Sequence, residues 1–85
     1  MPLYFNNFSK VLSDLLEKTG VTPYKIAQYT GIDQGYISRL RIGKKTNPGP
    51  EVVVRLSLAL VHFNDKIEIY DIEELFQAIG RSLFK

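Results

Sequence analysis

The sequence contains no cysteine, which excludes disulfide frameworks, thiol catalysis and zinc–thiolate sites from the outset. Its one histidine, His62, has no arrangement of Asp or Ser around it that would make a catalytic group, and reads as a structural or surface residue. Asp65, Glu68 and Asp71 lack the glycine and the ligand spacing of a calcium loop. The aromatic-rich motif of an RNA-binding sheet is missing too. No apolar run approaches the ~18–20 residues of a membrane span. The start, "MPLYFNNF", has neither the basic nor the apolar region of a secretory signal. These absences predict a cytoplasmic chain with no enzyme activity, no cofactor, no metal and no membrane partner.

The 85 residues match one domain, with 45% apolar and 24% charged residues, the proportions of a globular chain rather than a disordered one. The net charge of +2 says little, but its distribution is uneven. Residues 1–60 carry eight Lys/Arg and four Asp/Glu, whereas residues 61–85 carry three and five. Between Gln34 and Asn47 stand four basic residues and no acid. A charge run is ordinarily a solvated face. This one coincides with a narrow apolar seam and two glycine breaks in "YTGIDQGYISRLRIGKK", a surface suited to something negative.

Helical spacing organises most of the chain. Phe8, Val11, Leu12, Leu15 and Leu16 fall on one face of a first helix over about 7–19, capped by Asn6 or Asn7 and stopped at Gly20. Thr22 followed by Pro23 is a cap with proline at the first helical position, opening a second helix to Thr30 with Ile26 and Ala27 inward. Gly31 ends it, Asp33 caps a third helix over about 34–42, and Gly43 closes that one. "KKTNPGP" is a loop by composition. A fourth helix follows Pro50 with Val53, Leu56 and Leu60 inward, and Val52 and Phe63 as further inward candidates. "DKIEIYD" alternates, so it is a short strand or an extended linker. Asp71 then caps a last helix on which Ile72, Leu75, Phe76, Ile79 and Leu83 keep helical spacing, its acids sitting where a helix N-terminus favours negative charge. The expected fold is all-α, with Val11, Leu15, Ile26, Ala27, Ile32, Ile37, Leu40, Val53, Leu56 and Leu60 as its core.

Two short helices joined by a glycine-containing turn, the second one basic, describe a helix-turn-helix over residues 22–44. Ala27 is small where the two helices approach, Gly31 turns the chain, Ile32 plugs the core, and Ile37 and Leu40 pack the second helix onto the first. "TPYKIAQYTGIDQGYISRLRIGKK" thereby resembles the Cro/lambda-repressor (XRE) family, and the likeness extends over about residues 8–63. It implies a five-helix lambda-repressor-like bundle that binds duplex DNA, with the 34–42 helix in the major groove. On that likeness Gln34, at the first helical position, reads adenine through its amide, while Gly35 reads nothing but allows close approach. Tyr36 meets a thymine methyl or a phosphate oxygen, while as aromatics Tyr24, Tyr29 and Tyr36 read as partly buried packing residues rather than base-stacking platforms. Ser38 and Arg39 lie one turn on, and Arg39 either forks onto a guanine or clamps a phosphate. Lys44, Lys45 and Asn47 suit backbone contacts. Thr22, Tyr24 and Lys25, opening the second helix, complete the DNA-contacting candidates. Pro23 and Arg41 depart from the family, which often has Gln and Glu at those places.

The function implied is a transcriptional repressor occupying a palindromic operator as a homodimer. Residues 64–85, a C-terminal extension bearing a further or extended helix, are the candidate pairing segment, because Leu75, Phe76, Ile79, Leu83 and Phe84 need cover. The stripe packs either on a second copy or on the chain's own body. The competing readings are a protein-interaction module and a toxin-binding antitoxin on the same scaffold.

Overall fold

A computed structural model describes residues 7–45 and 47–80. It contains α1 (Asn7–Thr19), α2 (Pro23–Thr30), α3 (Gln34–Ile42), α4 (Pro50–Phe63) and α5 (Ile69–Gln77), with no strand among the described residues. Local signals set most of these boundaries. Thr22 caps α2, its hydroxyl oxygen accepting from the Lys25 amide at 3.2 Å, and Pro23 takes the first helical position. Asp33 caps α3, its carboxylate accepting from the Tyr36 amide at 3.0 Å. Gly31 and Gly43 end the two helices with φ of 80° and 87°, the left-handed region where any Cβ would be strained.

Helix α1 packs on α3 and α5, α2 on α3 and α4, and α4 on α5. The shared core holds Phe8, Leu12, Leu15 and Leu16 from α1, Ile26 from α2, and Ile37 and Leu40 from α3. From the C-terminal half come Val53, Leu56, Ala59, Leu60, Leu75 and Phe76. Burying an aliphatic side chain of this size contributes about 1.5–3 kcal/mol, so the set carries the fold. Ser57 is buried among them because its hydroxyl donates back to the Val53 carbonyl at 2.7 Å.

Several sequence expectations shift. Leu12, not Val11, is the fully buried residue of its turn; Val11 lies at the edge of α1, beside Glu74, Gln77 and Ala78 of the C-terminal segment, where cover is incomplete. Ala27 and Ile32 pack against the core but remain half-buried. Phe63 does not turn inward. It lies at the surface in a ring cluster with Tyr29 and His62, where His62 stacks on Tyr29 at 4.4 Å between ring centres.

The alternating "DKIEIYD" is neither strand nor wholly linker, because α5 starts at Ile69 and Glu68 is its cap. Asp71 acts from inside the first turn, its carboxylate accepting from the Glu68 amide at 2.9 Å. It also accepts from the Lys18 ammonium at 3.2 Å, which ties α5 to α1. Of the extension's apolar stripe, Leu75 and Phe76 are buried against the body and Ile79 is half-buried. Leu83 and Phe84, like Asn6, lie outside the described residues.

Candidate nucleic-acid interface

Helix α3 is built around one seam. Ile37 and Leu40 are fully buried, and Tyr36 is half-buried against the core. At 100° per residue, Gly35 and Arg39 stand about 160° from Ile37 on either side of it, directly opposite the buried seam. Ile42 is on that outward face as well and is 43% exposed. Arg39 is exposed, Ser38 is half-buried beside it, and Gln34 is exposed at the first turn. The structure thus brings Gln34, Gly35, Ser38 and Arg39 to the outer side of one helix, and turns Tyr36 away from its centre.

The end of α3 is held from two directions. The Lys44 and Lys45 amides both donate to the Arg39 carbonyl, at 2.9 and 3.2 Å, so the chain doubles back and keeps both lysines beside the last turn. From α1, the Ser13 hydroxyl donates to the Arg41 carbonyl at 2.9 Å. Lys45 and Asn47 are exposed in the loop, Asn47 with a positive φ of 54°. A loop residue in this region, with an amide side chain that tolerates it, presents its polar end outward.

The start of α2 is more divided. Thr22 is exposed and occupied as a cap. Tyr24 is 55% exposed, and its hydroxyl accepts from the Gln28 amide at 2.9 Å, leaving its own proton available to a further acceptor. Lys25 leans the other way, with its ammonium 5.8 Å from the centre of the Phe63 ring. Of the three α2 candidates, Lys25 is the one the structure directs toward α4.

Ser13, Gln28 and Ile42 were not singled out from the sequence. Ile42 was legible, since it follows Arg39 and Gly35 at helical spacing on the face opposite Ile37. Ser13 was not, because its partner lies 28 residues away. Among the described residues no group of His, Asp and Glu is placed to hold a metal ion, and no helix is long and apolar enough to cross a membrane.

A family model described as helix-turn-helix matches residues 12–60, the span from α1 to α4 that contains this face. No curated protein and no solved structure matches the chain.

Proposed function

The chain belongs to the helix-turn-helix family of the Cro/lambda-repressor type, whose function is DNA binding of the transcription-regulator kind, and from that premise we propose that it is a sequence-specific repressor. The observation that carries this reading is the outward face of α3. Gly35 and Arg39 lie opposite the buried Ile37 and Leu40, with the exposed Gln34 and half-buried Ser38 flanking them, Lys44 and Lys45 held at the helix end and no acid from residue 34 to 47. Such a face offers base-edge donors and acceptors in its middle and positive charge at its rim, which is what a major groove between two phosphate rows requires.

In this reading the single domain sits over one half-site of a palindromic operator in the cytoplasm, and a second copy occupies the other half. One nine-residue helix reaches only a few base pairs, whereas a two-fold pair spans half-sites about 34 Å apart. A shallow apolar groove between α4 and α5, lined by Val54, Ser57, Leu58, Val61, Ile72 and Phe76, supports pairing there. No α3 residue lines it, so two copies joined through it keep both reading helices available. It draws on the 64–85 extension for Ile72 and Phe76 only.

The test is selection of bound duplexes from a randomised pool, followed by titration of the winner and of random duplex at two salt concentrations. Enrichment of a site with two-fold symmetry is the expected result. Failure to retain any duplex at low salt would favour the scaffold use of the same fold, as a protein-interaction module or antitoxin.

A further inference from the structure

The space above Gly35 is already occupied. A Cβ built on Gly35 would lie 3.2 Å from Arg39 Nη1 and 3.0 Å from Asp33 Oδ2. Side chains on a helix lean toward its N-terminus, so residue i+4 covers residue i, and here the Arg39 guanidinium lies back over the bare backbone of position 35. Among the described residues no ion pair engages Arg39. The Asp33 carboxylate lies within about 6 Å of it, across their shared neighbour at 3.0 and 3.2 Å, and that carboxylate is itself fixed by the Tyr36 amide. Glycine at 35 has an ordinary helical backbone, with no positive φ to require it. Its missing side chain is therefore what needs explaining.

We propose that Gly35 and Arg39 are one recognition unit, in which the empty place at 35 seats the Arg39 guanidinium at the centre of the reading face, where it reads a guanine. The proposal rests on the duplex-reading function above and specifies it. A phosphate clamp would be expected at the rim of the face, where Lys44 and Lys45 are held, and not directly opposite Ile37. At the centre, the planar fork meets base edges, and the pair of acceptors it fits is O6 and N7 of guanine.

The experiment uses the full chain and the duplex selected from the pool, with Gly35→Ala, Arg39→Ala, Arg39→Lys and the Gly35→Ala/Arg39→Ala pair. Gly35→Ala should melt close to the parent, because alanine's better helix propensity offsets the crowding of the Asp33 capping carboxylate 3.0 Å from the new Cβ. It should nevertheless weaken the selected duplex and leave random duplex unchanged, by less than the roughly 5- to 150-fold expected for Arg39→Ala, the range for one bidentate base contact, because the added Cβ displaces the guanidinium without removing it. The double variant should bind no more weakly than Arg39→Ala alone, since the two changes remove the same contact. Arg39→Lys should keep the salt dependence and bind the selected duplex more weakly, with a reduced guanine preference, because an ammonium still donates to O6 and N7 but lacks the rigid fork. Additive losses in the double variant, or a guanine preference undiminished by Gly35→Ala, overturn the unit. Equal loss on selected and random duplex for Arg39→Ala makes it a phosphate clamp and overturns the proposal with the function intact. A parent chain that enriches no sequence removes the function itself.

Discussion

Gln34 and Lys45 are both exposed polar residues near α3, yet their loss should be felt in different ways. A primary amide at the first turn pairs with one base, so Gln34→Ala should cost about 1–3 kcal/mol at a single operator position and little on random duplex. Lys45→Ala should weaken every duplex alike and flatten the slope of log K against log salt by about one unit, because one fewer counterion is released. Titration of both variants on both duplexes checks the pair, and a uniform loss for Gln34→Ala would make that residue a grip instead of a reader. Beneath them Ile37 is fully buried, and truncating it to Ala should destabilise the fold by about 2–5 kcal/mol, measurable by urea unfolding. Ile37→Ala unfolding at the parent's midpoint would mean that the α3 seam is not what holds this helix.

At the scale of elements, α5 is the helix whose attachment should depend on pH. Lys18 on α1 donates to Asp71 at 3.2 Å. That hydrogen bond, aided by the charges of Asp71, Tyr70 and Glu68 against the lowering effect of desolvation, raises the ammonium pKa above its ordinary 10.5. A folded-state pKa above the unfolded one means that the contribution is fully present below 10.5 and is lost as pH rises through the higher folded value. Lys18→Met should therefore melt below the parent at neutral pH, and the gap should narrow once pH passes 10.5. Thermal melts of both chains across the alkaline range decide it. A gap that is constant with pH would assign the effect to lost packing of the lysine stem.

The whole molecule raises the question of pairing. Leu75 and Phe76, which made the C-terminal extension look like a dimer segment, are buried in the chain's own core. The extension keeps Ile69 and Tyr70 exposed at the start of α5, and a row of uncovered apolar residues lies on α4, where Val54, Leu58 and Val61 are 44%, 57% and 49% exposed. Leu58→Asp should leave the melting temperature near the parent's at concentrations low enough for the parent to be monomeric, because the side chain supports no core of the single chain. By placing a charge in the groove it should also turn a sedimenting dimer into a monomer and weaken binding to the symmetric operator. A parent chain that sediments as a monomer at high micromolar concentration, with and without DNA, would remove the dimer from the proposed function.

Five helices, the turn at Gly31 and the basic face of α3 were legible in the amino-acid sequence alone. Their signals are short-range: Thr22 and Asp33 bond to amides three residues ahead, Pro23 and Pro50 open helices, and Gly31 and Gly43 close them with backbone that other residues strain to adopt. Ile37 and Leu40 were legible because helical spacing leaves a helix with one narrow seam only one way to face. Only the tertiary structure decided which residue at the edge of a seam is covered, as with Leu12 over Val11, since that depends on where α5 lies. The same holds for the start of α5, where the alternation of Ile67 and Ile69 mimics a strand until Asp71 bonds to Glu68 and to Lys18, 53 residues away. Likewise, Lys25 leaning over Phe63 depends on a neighbour 38 positions along the chain. Arg39 lying over Gly35 is intermediate: spacing makes the two neighbours, but whether a long side chain folds back or reaches out depends on the room and the charge around it. Caps and turns are settled within a few residues, while the direction of a long side chain is settled by whatever the fold places beside it.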